Sequence, residues 1–580
     1  MNVRRALEKL RLPTGLQPER IQWLYEGARA PAETGYLLYW MQTSVRAHYN
    51  YALEYAIAAA NALHLPLHVI YLLPDRSVVP TLASIHENEW KAEAMQDANA
   101  HAFGTARHAR FALEGLVDVH ARLARRGMSF DVFHHQHQCL ARHELLERCA
   151  RNAAVVVTDR PYLRPWRTAL DKLVSSAKER EEKEDSSSTV FGVVQVEGDV
   201  VVPVALVSDK EEFAARTIRS KIHKHLERFI VPLESLTLEP ASQTETRSLF
   251  AVLDRPQQLK PLDVTSATAV STTLELLDVD SSVKSVEWLF HGGEAAASAC
   301  MEKFLTPDKM AKYATERNEP SLDAGSNLSL YLHYGHISVV CIVLAASKLK
   351  GVTRAKEGLA SFLEELIVRR ELSVNLVVYN QDNYDSMRCL PNYAQITLKE
   401  HALDKRERIY SREKLELFQT GDRYWNAAQR ELVVTGKMHG YMRMYWAKKL
   451  LEWTRTPEEG FDAALVLNNK YALDAPDPNS YAGVAWSFGK HDQGWKERPI
   501  FGKVRYMNES GLKRKFKMDA YVLKVGRLAA QAKKVPGLEK LTVDEEKAEP
   551  AERGRVRIGA TRPAEKGAAG PMKKTKLEPM

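Results

Sequence analysis

Short apolar runs that alternate with helix-like segments constrain the fold of the first part of the chain. The runs predicted to form strands are Tyr36–Met41, Leu67–Leu73, Ser129–His135, Ala153–Asp159 and Thr189–Glu197. Helix patterns over Tyr49–Leu63 and Phe103–Arg125 lie between them. Parallel strands need long, usually helical, crossover connections, so this alternation is typical of a parallel sheet. We therefore predict a doubly wound α/β domain over residues 36–236, with 1–35 as an N-terminal arm. No GxGxxG follows the first strand, so a standard dinucleotide site is not supported.

Helix patterns dominate after Val286 and predict a second, all-α domain over residues 286–525. Its helices are expected over Glu294–Phe304, His336–Lys348, Ala360–Val378, Tyr424–Glu431, Met438–Trp453 and Pro457–Asn469. The Ser-, Thr- and Pro-rich segment 237–285 is interpreted as an interdomain linker, and the charged segment 175–188 as a solvated insertion. Large apolar residues almost disappear after about Gly526, which predicts a disordered tail over 526–580.

The bulk composition narrows the class of protein only weakly. A net charge of +8 favours an anionic partner without identifying it. The five cysteines form no CxxC pair and no metal-binding spacing with histidine, so they are expected to be reduced thiols of an intracellular protein, and no metal is predicted. No apolar run reaches the roughly 18 residues of a membrane span, so no membrane partner is expected. The basic run Lys573–Lys576 is either a nuclear address or a solubilising end.

The segment Thr435–Trp453, TGKMHGYMRMYWAKKLLEW, is the most informative motif of the chain. Trp446 and Trp453 are seven residues apart, about two helical turns, so they lie on one face of a helix. Trp425 precedes them in DRYWNAAQ. Aromatic residues at helical spacing usually belong to a core, and spacing alone favours that interpretation. Indole is also the side chain most easily oxidised to a radical cation, so a row of tryptophans can conduct electrons.

Several long segments resemble the class II cyclobutane pyrimidine dimer photolyases of the photolyase/cryptochrome family. Besides GKMHGYMRMYWAKKLLEW they are FLEELIVRREL (Phe362–Leu372), LYLHYGHIS (Leu330–Ser338), LNNKYALDAPDPNSYAGVAWS (Leu467–Ser487), HDQGWKERPIFGKVRYMN (His491–Asn508) and KRKFKMDAY (Lys513–Tyr521). Long blocks in the same order are far more specific than one short motif. The resemblance implies the photolyase fold, with an α/β antenna-type domain and an all-α FAD-binding domain. It also implies light-driven repair of pyrimidine dimers in UV-damaged DNA, by an electron from reduced, anionic FAD.

The resemblance also implies which residues hold the flavin. Three match family positions that contact the cofactor, two match the cation and carboxylate that flank its ring, and one matches an asparagine near the reactive ring nitrogen. In that order they are Tyr313, Leu328, Ser329, Arg443, Asp474 and Asn468. On residue types alone, Arg443 with Asp474 is a structural salt bridge, and the serine-rich loop before Leu328 is an ordinary helix cap. A cation beside the ring would stabilise the anionic reduced flavin.

Further residues are implied to act on the electron and on the dimer. Trp446 is expected nearest the flavin, with Trp425 carrying the electron outward and Trp453 as an alternative or more distal member. The residues expected to form the dimer site, together with Asn468, are Glu365, Met444, Trp486 and Trp495. Glu365 is expected to bond the dimer bases, the tryptophans to form walls and Met444 the floor. A dimer is weakly paired and costs less to flip out than an intact base pair.

The basic stretch Gly502–Lys517 is expected to meet the DNA backbone. The residues assigned to DNA binding are Lys503, Arg505, Lys513, Arg514 and Lys515, with Arg505 as phosphate contact or strand wedge. A solvated basic face is the alternative on composition alone. The antenna chromophore stays open between a deazaflavin, a folate and none. A monomer is expected, located in the nucleus if the source is eukaryotic.

Three rival functions are separated by the same residues. A cryptochrome-like photoreceptor would keep flavin and tryptophans without repair, and the tail permits it, yet it has no need of Glu365, Met444, Trp486 and Trp495. A (6-4) photolyase needs a histidine acid in its pocket, whereas the histidine-bearing segments here match the class II pattern. A flavin-free DNA-binding scaffold would be colourless after purification.

Overall fold

The computed structural model describes residues 3–27, 35–73, 104–134, 142–182, 190–244, 249, 261–277 and 279–535. The strands are β1 (Ile21–Tyr25), β2 (Tyr36–Met41), β3 (Leu67–Leu72), β4 (Ser129–Phe133), β5 (Ala153–Asp159) and β6 (Gly192–Val196). They form one sheet in the order β1–β6–β5–β2–β3–β4. All neighbouring strands are parallel except β1 and β6, which are antiparallel. The predicted parallel, doubly wound sheet is confirmed.

Both faces of this sheet are covered. Alternate residues of β2 enter two different hydrophobic cores, Leu37 and Tyr39 on one side and Leu38 and Trp40 on the other. Side chains alternate across a strand, so this division means that helices pack on both faces. The helices of this half and of the connection that follows are α1 (Val3–Glu8), α2 (Tyr51–Leu63), α3 (Ala106–Ala124), α4 (Arg142–Ala150), α5 (Arg164–Glu182), α6 (Val204–Val207), α7 (Ala215–His223), α8 (Leu226–Phe229) and α9 (Ala267–Leu276).

The carboxyl ends of β2 and β5 meet where doubly wound sheets often hold a phosphate. Here the Asp159 carboxylate accepts hydrogen bonds from the backbone N–H groups of Gln42, Thr43 and Ser44, at 2.7, 3.0 and 3.1 Å. Asp159 is buried, and its second oxygen accepts from the Tyr39 hydroxyl at 2.9 Å. The donors that could bind an anion are therefore occupied by the protein itself, in agreement with the missing glycine fingerprint.

Three predicted boundaries in the first half are corrected by the structure. The arm 1–35 contributes α1 and β1, and β1 closes the sheet as a short antiparallel edge strand. Helix α5 continues through the first part of the predicted insertion, because Ala177 is buried while the charged residues around it lie on the outer face. The predicted linker contains α9, whose first turn is capped by the Ser266 hydroxyl. Charged or Ser/Thr-rich sequence concealed these elements.

The second half is built of helices, as predicted. They are α10 (Glu294–Phe304), α11 (Pro307–Glu316), α12 (Leu328–His333), α13 (Val339–Ser347), α14 (Lys356–Leu363), α15 (Arg370–Tyr379), α16 (Asn392–Glu400), α17 (Arg412–Glu416), α18 (Arg423–Thr435), α19 (Gly440–Trp453), α20 (Pro457–Tyr471), α21 (Pro478–Ser487), α22 (Glu509–Lys515) and α23 (Met518–Ala532). A π-helix, Glu364–Arg369, joins α14 to α15. Short 3-10 turns occur at Pro18–Arg20, Pro240–Ser242, Thr353–Ala355 and Met387–Cys389.

A helix crosses the predicted start of the tail at residue 526. Helix α23 runs to Ala532 and packs on α18, with Val525, Ala529 and Ala532 buried, so the boundary at 526 is wrong for the described residues. Residues 183–188 of the predicted insertion and 536–580 of the tail, including the basic run Lys573–Lys576, lie outside the described residues. Within the described ranges, no helix combines the length and the apolar character that crossing a bilayer requires.

A buried arginine joins the two halves. Arg107 of α3 is 1% exposed and donates to the carbonyl oxygens of Leu432, Val433 and Tyr471, at 3.3, 2.6 and 2.6 Å. These carbonyls lie near the carboxyl ends of α18 and α20, where helices leave C=O groups without intrahelical partners. The same guanidinium donates to the Lys284 carbonyl at 3.1 Å. One side chain of the sheet half thus bonds the carboxyl ends of two helices of the second half.

Candidate cofactor and substrate site

A cavity with about 670 Å³ of empty space, open mouth included, lies within the helical half. Its lining comes from α11, the loop into α12, the α14–π-helix–α15 segment, α19 and the start of α21. The lining residues are Tyr313, Ser326, Leu328, Ser329, Leu332, Phe362, Glu365, Leu366, Arg370, Arg443, Asp474, Asp477, Asn479 and Ser480. Five of the six residues predicted to bind flavin meet here, together with Glu365.

The predicted ring-side residues form one polar group. Arg443 donates through Nη2 to the Asp474 carboxylate at 3.2 Å. Its Nε is buried and has no hydrogen-bond partner among the described residues. Asn468 is not at the cavity wall, but it is 1% exposed and its Oδ1 also lacks a partner among the described residues, while its Nδ2 donates to Asn469 at 3.1 Å. Buried polar atoms are normally satisfied, so these two suit a polar heterocycle such as a flavin ring.

The loop before α12 is shaped by a left-handed residue. Asn327 precedes the helix with φ 59°, and the Ser326 hydroxyl accepts from the Leu328 N–H at 3.3 Å. The Ser326 carbonyl accepts from the Cys300 thiol at 3.3 Å. These contacts turn the backbone so that Ser326, Leu328 and Ser329 all reach the cavity. Tyr313 closes the adjacent wall, and burial raises the pKa of its hydroxyl to about 12.

The prediction missed several lining residues at the start of α21. Asp477 caps this helix by accepting from the Asn479 N–H at 2.9 Å, and His333 lies 3.7 Å from its carboxylate. Burial alone would raise the pKa of Asp477, but the His333 hydrogen bond and the charge of Arg370 hold it below its usual range. The Asp–Pro pair at 477–478 is a helix-start signal and predicts the cap. Nothing in it predicts that the cap faces a cavity.

Glu365 reaches the cavity from the π-helix. The preceding Glu364 pairs with Arg219 of α7 at 2.8 Å, on the opposite side of the segment. Glu365 itself pairs with Arg317 at 3.0 Å and is one-third exposed. Single π-turns occur often at functional sites, because the extra residue re-aims the side chains around it. The glutamate predicted to bind the dimer therefore shares a cavity with the predicted flavin residues.

The predicted electron-transfer residues, which we call the ladder tryptophans, are in contact. Trp446 and Trp425 are fully buried and nearly parallel, with ring centroids 6.4 Å apart and an interplanar angle of 9°. Trp453 meets Trp425 edge-on at 5.4 Å, and Tyr410 meets Trp453 at 5.1 Å. The spacing of Trp446 and Trp453 on α19 does not bring them together directly, since Trp425 of α18 links them. Trp446 donates to Gln429 at 2.8 Å, and Trp425 donates to the Trp446 carbonyl at 3.1 Å.

Trp486 and Trp495, which we call the pocket tryptophans, lie on either side of a cation. The Arg505 guanidinium carbon is 4.8 Å from the Trp495 ring centroid and 5.9 Å from that of Trp486. On the buried side, the Lys448 ammonium is 5.8 Å from the Trp486 ring. Trp495 is 41% exposed, as expected for a wall that meets a ligand from outside. Met444, the predicted floor, is half-buried on α19 and is not among the residues that line the cavity.

The loop that carries Trp495 is tied to α16 through one histidine. His401 Nδ1 lies 2.6 Å from Asp404 and its Nε2 lies 3.2 Å from Glu497. Asp404 in turn accepts from the Ile500 N–H at 2.7 Å. The hydrogen bond that His401 makes to Asp404 raises the pKa of His401 most; burial opposes this, and the hydrogen bond to Glu497 raises the pKa further. This group was not predicted, because Glu497 lies 96 residues after His401 and only the fold brings the two together.

The residues predicted to bind DNA fall into two places. Lys503 is exposed and lies near Arg505, with its ammonium 4.0 Å from Glu497. Lys513, Arg514 and Lys515 are exposed at the end of α22, where Lys515 lies 4.4 Å from the Tyr441 ring. Cations beside aromatic rings suit a nucleic-acid surface. No group of three or more His, Cys, Asp or Glu arranged for a metal ion occurs among the described residues.

Known proteins resemble this chain over most of its length. Residues 37–241 match the family model described as DNA photolyase. The chain is 42% identical over 516 residues to the deoxyribodipyrimidine photo-lyase of Methanothermobacter thermautotrophicus, covering 87% of this chain and 98% of that protein. It is 38% identical to the protein of the same name from Arabidopsis thaliana, covering 90% and 95%.

Solved structures give the same fold. A class III photolyase from Agrobacterium tumefaciens matches with a TM-score of 0.60 at 18% identity, covering 90% of this chain and 94% of that one. A cryptochrome from Synechocystis matches with a TM-score of 0.58 at 15% identity, covering 89% and 92%. At these identities the structures establish the photolyase/cryptochrome fold and do not separate repair from signalling.

Proposed function

The chain belongs to the DNA photolyase family, and we propose that it repairs cyclobutane pyrimidine dimers in DNA with an electron from light-excited, reduced FAD. Relatives named deoxyribodipyrimidine photo-lyase match over most of both chains, which makes it an enzyme of that name, a carbon–carbon lyase. The observation that best supports dimer repair by reduced FAD is the shared cavity, in which Glu365 lines the same space as Arg443 and Asp474.

The cavity residues would hold the cofactor and set its charge. Tyr313, Leu328 and Ser329 would bind FAD along one wall. Arg443 would place a cation beside the ring and Asp474 would fix the guanidinium, which favours an anionic reduced cofactor. Asn468 has an unsatisfied amide oxygen for a ring hydrogen bond. When bound, reduced FAD supplies the electron that splits the dimer and takes it back afterwards.

Glu365 would meet the flipped dimer. In the free protein its carboxylate is held by Arg317 at 3.0 Å, and its one-third exposure leaves it accessible to a base edge. Trp486 and Trp495 would stack on the dimer, with Met444 beneath. Stacking on aromatic walls suits a lesion that has lost its own stacking partners. Arg505, Lys503 and the cluster Lys513–Lys515 would contact the DNA backbone, so binding should weaken with salt.

The ladder tryptophans would serve activation and not repair. An electron passing from Trp453 through Trp425 to Trp446 would reduce oxidised flavin under light. Repair itself returns its electron and needs no external reductant. The antenna is proposed only as optional, and a monomer is proposed for the assembly.

The test is dimer repair under illumination. Reduced protein is mixed with an oligonucleotide that carries one thymine dimer, alongside a dark control, and restored thymines are counted per absorbed photon. Glu365→Ala should lower the yield several-fold. Glu364→Gln is the matched control, because Glu364 faces Arg219 and should leave the yield unchanged.

A cryptochrome-like photoreceptor remains the rival that this experiment separates. The fold is shared with a cryptochrome, so the fold does not decide. A yellow protein that photoreduces but restores no thymines in the light would overturn the repair proposal and favour the receptor. A protein that restores (6-4) products instead would place it in the other photolyase class.

A further inference from the structure

The tryptophans near the cavity differ in the charges that surround them. Among the described residues, no Lys or Arg lies over the ring of Trp446 or Trp425, and their indole N–H groups donate to neutral oxygens of Gln429 and the backbone. Trp486 is different, because Lys448 lies 5.8 Å from its ring and Arg505 lies 5.9 Å from it. A nearby cation opposes removal of an electron from an indole, since the product is itself a cation.

Lys448 is placed to act on Trp486 with little screening. It is 1% exposed, and burial lowers the pKa of its ammonium to about 7, against an opposing effect of Asp492 and with a further lowering by Arg505. The Asp492 carboxylate accepts a hydrogen bond from the other pocket tryptophan, Trp495, at 3.4 Å. Charges act more strongly in a buried environment than in water. Lys448 therefore opposes removal of an electron mainly from Trp486.

Trp486 lies within reach of the cavity along two helices. Asn479 of α21 lines the cavity, and Trp486 follows seven residues later on the same helix, about 10 Å along its axis. Arg443 of α19 also lines the cavity, and Lys448 follows five residues later. An oxidisable indole this near a flavin site competes with Trp446 as electron donor. Oxidation of Trp486 would damage the wall that is proposed to hold the dimer.

We propose that Lys448, assisted by Arg505, protects Trp486 from oxidation and so directs light-driven flavin reduction to Trp446 and the other ladder tryptophans. The inference rests on the proposed flavin site and ladder. The step at issue is a one-electron oxidation: an electron would leave an indole for the bound flavin, and an external thiol reductant would give one electron to the resulting radical cation and return it to neutral indole. Lys448 acts through Trp486 and is a positioning residue, not a catalytic one.

The ladder has one lysine of its own, which behaves differently. Lys449 lies 5.3 Å from the Trp453 ring, but its ammonium is paired with Glu452 at 2.8 Å. The pair places a negative charge beside the positive one, so its effect on Trp453 is largely cancelled. Lys449 is adjacent to Lys448 on α19 and about as buried, which makes it a matched control.

The test uses oxidised, flavin-loaded protein at pH 6, where Lys448 is protonated, and measures flavin bleaching under blue light with a thiol reductant. Trp446→Phe should slow photoreduction at least tenfold, which checks the ladder separately. Adding Lys448→Met to Trp446→Phe should raise the photoreduction rate at least threefold, because Trp486 can then donate the electron to the flavin. Adding Trp486→Phe to that pair should abolish the restored rate, and Lys449→Met in place of Lys448→Met should restore nothing.

The outcomes separate the inference from the proposed function. If Trp446→Phe photoreduces as fast as the parent, the ladder itself is wrong. If Trp446→Phe is slow and Lys448→Met adds nothing, the protective role of Lys448 is overturned while the ladder stands. Restoration that survives Trp486→Phe would mean that Lys448→Met opened some other route, and this also refutes the inference. Flavin absorbance before illumination verifies that each variant is loaded.

Discussion

Lys448 is a residue whose position costs stability. Burial lowers its pKa from 10.5 to about 7, so the folded protein pays to keep this ammonium charged. Between about pH 7 and 10.5 the unfolded chain holds a proton that the folded chain lacks, and the free energy of unfolding therefore rises with pH across this window. Below it, both states are charged and the full cost of burial remains.

Lys448→Met should consequently stabilise the protein. The gain in free energy of unfolding is expected to be on the order of 3 kcal/mol at pH 6 and to shrink towards pH 10, as the parent loses its buried charge. Denaturant unfolding at several pH values measures it. Lys449→Met, which breaks the pair with Glu452, should not be stabilising. A Lys448→Met variant no more stable than the parent at pH 6 would show that the ammonium is better solvated than its 1% exposure indicates.

Two elements, α18 and α19, are joined through the ladder. Trp425 is the only contact between the rings of Trp446 and Trp453 that the described residues provide. Trp425→Phe should slow light-driven reduction of oxidised flavin at least tenfold, because phenylalanine is far harder to oxidise. Repair by chemically pre-reduced protein should change less than twofold. Bleaching of the flavin band and dimer repair, measured on one preparation, distinguish the two effects.

The loop that carries Trp495 depends on the protonation of His401. Asp404 and Glu497 raise the pKa of His401. The stability that protonated His401 gives to this loop is therefore fully present below its ordinary pKa of 6.5 and is lost as pH rises through the raised value. Trypsin cleavage after Lys496 should therefore accelerate from pH 6 to pH 9, relative to a control peptide that corrects for the enzyme's own pH profile. His401→Gln should cleave fast throughout. If trypsin cleaves the parent and His401→Gln equally slowly at pH 6, then His401 does not hold this loop.

Elements differ in how far the sequence predicts them. Strands β2 and β5 and helix α10 have the predicted bounds, because continuous apolar runs and a regular helical pattern leave little choice. Helices α5 and α9 were missed, since charged or Ser/Thr-rich sequence resembles loops until its narrow buried face is known. The π-helix at Glu364–Arg369 is also beyond prediction, because one extra residue per turn is stabilised by contacts with Arg219 and Arg317 from distant segments.

The residues of the site also differ in how far the sequence predicts them. Five of the six flavin residues identified by resemblance meet in one cavity, whereas Asp477 and Arg370 line it, and His333 contacts Asp477, only through the fold. The residue types alone indicate a helix cap at Asp477 and ordinary polar side chains at His333 and Arg370. The sequence likewise does not predict that Lys448 and Arg505 both lie near Trp486, because these two residues are 57 positions apart.

At the scale of the whole molecule, Arg107 is expected to make the two halves unfold together, because it bonds two helices of the second half from α3 of the first. Arg107→Met would remove the side-chain donor to the Val433 and Tyr471 carbonyls at the ends of α18 and α20, at a cost on the order of 3 kcal/mol. The variant should unfold at lower denaturant and lose flavin in the same transition. Arg110→Met, on the next exposed turn of α3 and paired with Glu287, is the control and should cost far less. Flavin release well before loss of helical signal would argue that the halves unfold separately.

The carboxylate of Asp159 also has a consequence for how this fold can change over time. The groove that in other doubly wound sheets receives a nucleotide is here closed by three backbone N–H groups and one side chain. The side chains at 42–44 also hydrogen-bond Thr158 and Asp199, so a random library at these positions should favour polar residues and reject proline, which has no N–H to give.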